Sequence, residues 1–346
     1  MSVISISQHL GCEVNLPKAL KGESLHGLPP YARIPAYCVD DYPAAPSNWM
    51  RGSATEGSFF VGVKAGHGLW LDFNSCRQHD HHVAVLISIQ GVNPITGKPL
   101  AGVKLDQYRE NCPVHNVPFQ GGRYCPECGY KWPAQNYLST TGCADGRLWL
   151  DGFRGDDGEV RQYVFTEETC RGIAAQVLGD TRVFAIGVSF FLSVDPKPPR
   201  PNFGGVLRSW EPPDMSSFAK QYKTAIGTDS GTYYSADSAM KRMMVNSHVV
   251  REAGLNAPVC QSSHVNEGFV GLCHEIEATQ LEIAAGARIQ QETGEDPNPL
   301  SFWREKPEST LFINYLPDSE AKLILADGKR GTKRDGALGG LLVGNV

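Results

Sequence analysis

Four residues in one short stretch have the types and spacing to hold a metal ion. Residues 112–129 read CPVHNVPFQGGRYCPECG. Cys112 and His115 stand three positions apart, nine residues follow, and Cys125 and Cys128 repeat the same separation. Two side chains at that spacing converge on one ion, and two such pairs supply four nitrogen and sulfur donors. That set matches a closed, tetrahedral zinc site with one structural zinc per chain. Gly129 lets the chain turn behind the second pair, and Gly121-Gly122 falls midway, where a hairpin joining the pairs must turn. A site with four protein donors has no open position, so its expected role is to staple a segment that lacks a core of its own.

On these residues the segment resembles the zinc-ribbon and rubredoxin-like metal knuckles. The resemblance covers about thirty residues of 346 and implies a metal-binding hairpin, not an activity. His115 stands where a rubredoxin-like centre has a fourth cysteine, which disfavours an iron redox centre and favours structural zinc. Arg123, Tyr124, Lys131 and Trp132 fringe the motif. Basic and aromatic residues on a ribbon can bind nucleic acid or a partner protein, or can simply form a solvated rim around one packing aromatic.

The other constellations are incomplete. His79-Asp80-His81-His82 is the densest histidine group, and on a strand His79 and His81 would share a face. No glutamate follows at the short spacing a metal-binding β-barrel would need. His264, Glu267, His274 and Glu275 form a looser cluster in which HEIEA lacks the second histidine of a zincin helix. Gly227–Gly231 is not a G-x-S-x-G elbow, and no dinucleotide or phosphate loop is present. Lys329-Arg330 and Lys333-Arg334 read as a solvated turn. No catalytic residue and no organic cofactor site is assigned.

The elements that must position the metal motif are mainly strands. Glycine (37) and proline (23) are abundant, and SFFVGVKAG, HHVAVLISIQG, EVRQYVF and RVFAIGVSFFLSV alternate or run apolar with β-branched and aromatic residues. The expected fold is mainly β (α+β), a sandwich-like body with an inserted zinc ribbon and a few short helices. The expected organisation is an extended N-terminal arm (1–57) of little regular structure and a β-rich domain (58–194) with the ribbon inserted at 106–138. A Pro-rich linker (195–213), a second α+β domain (214–330) and a Gly-rich tail (331–346) follow. A short helix is predicted from an N-cap at Thr166 to Gly179. STLFINYLPDSEAKLILADG reads as two strands joined at Pro317-Asp318, and 275–291 reads equally as helix or as a buried strand bent at Gly286. Leu69–Asp72 recurs as Leu148–Asp151, which a duplicated β unit or a chance tetrapeptide would explain.

Net charge −5 and a pI near 6.1 give no general attraction to nucleic acid or anionic lipid. The start of the chain does not read as an export leader, and Val183–Val194 is too short for a membrane helix. A cytoplasmic protein follows, with Cys12, Cys38, Cys76, Cys143, Cys170, Cys260 and Cys273 as reduced thiols. These features lead to the expectation of a structural protein that self-associates into a shell, tube or filament. Its contacts would be the N-terminal arm and the tail, where Leu338, Leu341, Leu342 and Val343 sit among glycines. The alternatives are a metal-dependent enzyme using a histidine cluster and a nucleic-acid-binding ribbon protein.

Overall fold

The computed structural model describes residues 3–7, 9–20, 31–142, 148–179, 185–198, 281–291 and 293–328. In chain order the strands are β1 (Val3–Ser7), β2 (Leu10–Pro17), β3 (Tyr31–Arg33), β4 (Ala36–Cys38), β5 (Glu56–Val63), β6 (Trp70–Asp72), β7 (His81–Ile89), β8 (Val92–Asn93), β9 (Lys98–Pro99) and β10 (Tyr137–Ser139). They continue with β11 (Trp149–Leu150), β12 (Gly152–Arg154), β13 (Val160–Thr166), β14 (Ala185–Pro196), β15 (Glu282–Ile289) and β16 (Ser309–Pro317). The described α-helices are α1 (Ile173–Leu178) and α2 (Asp318–Asp327). No described helix is long and apolar enough to cross a membrane. Almost all described residues fall in one compact unit. Lys197–Asn246 separates as a second unit, of which only 197 and 198 are described.

The strands form three sheets. A five-stranded sheet runs β1-β2-β6-β11 with β3 beside β2; an eight-stranded sheet runs β4-β5-β16-β14-β7-β8-β9 with β10 beside β7; a third runs β12-β13-β15. All pairs are antiparallel except β5 with β16. Period-two alternation decides what each face buries. On β7, Val83, Val85, Ile87 and Ile89 join the central core with Ile186, Val188 and Phe190 of β14 and Leu71 and Val14 of the five-stranded sheet. Ala84 and Leu86 point the other way, against Tyr137, Phe191 and Trp303. On β5 and β16, Phe60 and Leu316 face outward and are covered by Ala321 and Ile324 of α2 with Val39, Tyr42 and Trp49. The large sheet therefore has apolar cover on both faces, as a strand like VAVLISI requires.

Several expectations are corrected. Residues 3–17 are not an arm of little regular structure: they form β1 and β2, and Ile4, Leu10, Cys12 and Val14 are core residues. The described part of the expected second domain, 281–328, is not a separate α+β unit, because β15 pairs with β13 and β16 lies between β5 and β14. The second half of STLFINYLPDSEAKLILADG is helix, not strand. Pro317 ends β16, Asp318 and Glu320 sit in the first turn, and Lys322 pairs with Asp318 one turn on. The predicted helix start at Thr166 is also wrong: Thr166 closes β13, and its hydroxyl accepts the Glu168 N–H. Gly172 precedes the real helix in an extended conformation, bridged to Ala284. The end at Gly179 is as predicted, with φ +80°. For 275–291 the buried-strand alternative applies over β15, whose register against β13 shifts next to Gly286.

The two Leu-Trp-Leu-Asp copies lie beside each other. β6 and β11 pair antiparallel with Leu71 opposite Leu150, and Trp70 meets Trp149 edge to face at 5.7 Å. A local two-fold axis thus passes between the two leucines. Beyond them the chains diverge, one into β7 of the large sheet and the other into β12 of the small one.

Asp151, the last residue of the second copy, is buried, and burial pushes its carboxyl up to about 7. The folded state then holds this proton more tightly than the unfolded chain. Its contribution to stability is full below about pH 4 and is lost as pH rises through 7. Asp151→Asn is expected to stabilise the protein at pH 8 and to lose that advantage by pH 4. Urea midpoints at the two pH values check this, and equal differences at both would refute it.

Candidate metal centre

The excursion that carries the metal motif leaves the body between β9 and β10. Its base is tied by hydrogen bonds from Tyr108 N–H to the Ala134 carbonyl and from Asn136 N–H to the Asp106 carbonyl, at 2.8 and 3.1 Å. The turn after β8 holds that base. Asn93 accepts the N–H groups of Ile95 and Thr96 and donates to the Asn136 carbonyl at 2.8 Å. Gly97 closes the turn at φ +63°, where any side chain would run into the Arg154 carbonyl. From the far side, the Tyr130 hydroxyl donates to the Thr96 carbonyl at 2.6 Å, and Lys98 lies 4.4 Å over the Tyr130 ring.

Within the excursion each pair of candidate ligands sits on a tight knuckle. In the first, Asn116 N–H returns to the Cys112 carbonyl at 2.8 Å, with Asn116 at φ +53°. In the second, Gly129 N–H returns to the Cys125 carbonyl at 2.8 Å, with Gly129 at φ +67°. Asparagine and glycine are the residues that tolerate this left-handed position. Between the knuckles, Gln120 and Tyr124 exchange two backbone hydrogen bonds around Gly121, Gly122 and Arg123, all with positive φ. This is the hairpin that the glycine pair implies.

The four donor atoms of Cys112, His115, Cys125 and Cys128 lie within 4.8 Å of one another. His115 Nδ1 is 3.6 Å from the sulfurs of both Cys112 and Cys125. With metal–sulfur and metal–nitrogen distances of about 2.3 and 2.05 Å, tetrahedral angles put such atoms about 3.6 Å apart. The side chains therefore fit a four-coordinate ion. Burial alone would raise the Cys125 thiol, but the backbone N–H groups of Cys128 and Glu127 and the neighbouring thiols outweigh it and bring the thiol down to about 6. The thiolate is the form a metal takes. Cys112 and Cys125 are buried, whereas Cys128 is exposed.

The hairpin has a small apolar cluster, which the sequence reading did not foresee. Cys112, Cys125, Tyr130 and Trp132 are buried together, with Tyr108, Val117 and Phe119 packed around them. Trp132 meets Tyr108 and Tyr130 edge to face at 5.1 and 5.2 Å. The basic fringe is turned onto the hairpin itself. Arg123 donates to the Tyr108 carbonyl at 2.6 Å and lies 5.8 Å over Phe119, and Lys131 lies over the exposed Tyr124 ring.

The histidines of 79–82 do not join into a second centre. His79 Nδ1 accepts the His81 N–H, which leaves the proton on Nε2 and no lone pair there for a metal. His81 Nδ1 faces the Ser193 carbonyl at 3.0 Å, and the His82 ring packs on Phe302. Among the described residues, Cys112, His115, Cys125 and Cys128 form the one group of three or more donors placed to hold a metal. His264, Glu267, His274, Glu275, Gly227–Gly231, the 329–334 basic pairs and the tail lie outside the described residues. All described cysteines are free of disulfides; Cys143, Cys260 and Cys273 are not among them.

A second polar centre, not visible in the sequence, anchors the segment after β15. The buried carboxylate of Asp296 accepts from Tyr137 Oη at 2.7 Å, Trp303 Nε1 at 2.8 Å and Thr141 Oγ1 at 2.7 Å, and from both N–H groups of Asn298 at 3.1 Å. Gln107, at the base of the hairpin, donates to Tyr137 Oη and to the Asn298 carbonyl. No family model, curated protein or solved structure matches the chain.

Proposed function

We propose that the protein is a structural component that binds one zinc ion per chain through Cys112, His115, Cys125 and Cys128 and associates with further copies of itself. The observation that carries this reading is the donor set. Three sulfurs and one imidazole nitrogen at tetrahedral spacing close the coordination sphere and leave no position for substrate or activated water. Zinc is favoured over iron because the fourth donor is an imidazole, and over calcium or magnesium because no oxygen donor takes part. The ion then fixes the shape of a mostly exposed hairpin, which is work suited to presenting a surface.

The self-association part rests on the sequence. The tail 336–346 puts Leu338, Leu341, Leu342 and Val343 among glycines, which suit a groove on a neighbouring copy better than water. Since β1 and β2 belong to the five-stranded sheet, the tail is the contact to test first. Metal analysis is expected to give one zinc per chain, and light scattering a particle larger than a monomer. Truncation at Asp335 is expected to reduce that particle. A monomeric full-length protein would refute the assembly reading; an iron centre with a rubredoxin-like spectrum would refute zinc.

A further inference from the structure

The three cysteine ligands differ in their access to solvent, and that difference gives the centre a chemical direction. Cys112 and Cys125 are 0% and 1% exposed and belong to the apolar cluster of the hairpin, whereas Cys128 is exposed. Cys125 and Cys128 are three residues apart, and their sulfurs lie within 4.8 Å. Of the three cysteine ligands Cys128 is the one open to a reagent in water, and the Cys125 sulfur is within 4.8 Å of its sulfur. The small core of the hairpin includes two of the ligands, Cys112 and Cys125, among its buried members.

Resting on the zinc reading above, we propose that the hairpin is a peroxide-sensitive switch, with Cys128 as the thiolate that is oxidised and Cys125 as the thiolate that resolves it. The Cys128 sulfur attacks one oxygen of hydrogen peroxide and the O–O bond breaks. Cys128 becomes a sulfenic acid, and the departing hydroxide takes a proton to become water. The Cys125 thiolate then attacks the Cys128 sulfur, an S–S bond forms, the S–O bond breaks, and the second hydroxide leaves as water. In sum, two thiolates, one peroxide and two protons give one disulfide and two waters, with two electrons passing from sulfur to oxygen. The centre thereby loses two of its four donors. Cys112 and His115 alone hold zinc weakly, so the ion leaves and the hairpin loses its staple. Cys12 and Cys76 are buried in the central core and fully shielded, so they should not compete for the oxidant.

The test uses the full chain as isolated, with zinc content measured first. Hydrogen peroxide in tenfold excess is expected to release the zinc to a chromophoric chelator. Peptide mapping should then show a Cys125–Cys128 disulfide, with Cys112, Cys12 and Cys76 still free thiols that alkylate without prior reduction once the chain is denatured. Cys128→His keeps a zinc donor but removes the exposed thiol, and is expected to slow release by about tenfold or more. If this variant does not hold zinc, the disulfide map of the unaltered protein decides alone. Zinc retained under peroxide, or a disulfide through Cys112 in place of Cys128, overturns the switch and leaves the zinc reading standing. A chain isolated without zinc that takes none up overturns both.

Discussion

Replacing Cys125 by serine is expected to abolish metal binding and to unfold residues 106–136 while the three sheets persist. Cys125 does two jobs. It would supply one of the four donors of the proposed zinc site, and its buried side chain is part of the cluster formed with Cys112, Tyr130 and Trp132. Structural zinc contributes on the order of 10–16 kcal/mol to small peptides built around it, far more than a cluster of this size can. The ties to the body gather at the base, Asn93 to Asn136, Gln107 and Arg109 to Asn298 and Gln135 to Gly294 and Asp296, and only Tyr130 to Thr96 reaches the body from the knuckles. Loss of the ion should therefore be local. Amide hydrogen exchange is the measurement. Protection should fall across the hairpin and remain in β7, β14 and β16. Retained protection in the hairpin of the metal-free variant would show that the aromatic cluster holds it alone.

The metal motif was legible because its chemistry is local: two pairs at fixed spacing and a glycine pair between them specify a hairpin without reference to the rest of the chain. The long strands were legible for a related reason. Val83–Ile89 and Ile186–Leu192 carry aliphatic and aromatic side chains toward both apolar faces, and no amphipathic helix has that pattern. The failures lie where tertiary contacts override a local signal. Thr166, followed by two glutamates, looks like a helix start, yet pairing of Thr166 with Glu282 keeps it in strand. Ala321 and Ile324 looked like part of a second strand, but at helical spacing they cover Phe60 and Leu316. The turn-rich 28–57 stretch gives the N-terminal residues the composition of an arm. Leu10, Cys12 and Val14 alternate into the core just before it.

Asp296→Ala is expected to cost about 4 kcal/mol of global stability, through loss of hydrogen bonds to a buried charged acceptor. No hydrophobic pattern pointed to this residue, which sits in a Gly-Glu-Asp-Pro-Asn-Pro stretch that reads as a turn. Its carboxylate nevertheless collects donors from β10, from the loop after β10 and from Trp303. Each hydrogen bond to a charged acceptor is worth about 1.5–3 kcal/mol, non-additively, and the Tyr137 and Trp303 donors are buried where water cannot replace the lost acceptor. The apolar cluster of Ala84, Leu86, Tyr137, Phe191 and Trp303 covers one face of the large sheet, and Asp296 fixes both of its largest aromatics. Asp296→Asn keeps one oxygen but presents an NH2 to groups that are themselves donors, so it should lose about half as much. Urea unfolding of the two variants beside the unaltered protein gives the comparison. Because Gln107 links Tyr137 Oη to the hairpin base, the alanine variant should also loosen residues 106–108 in hydrogen exchange without releasing the metal. An alanine variant within 1 kcal/mol of the parent, on the scale of an ordinary surface change, would mean that the aromatic packing holds this face without the carboxylate.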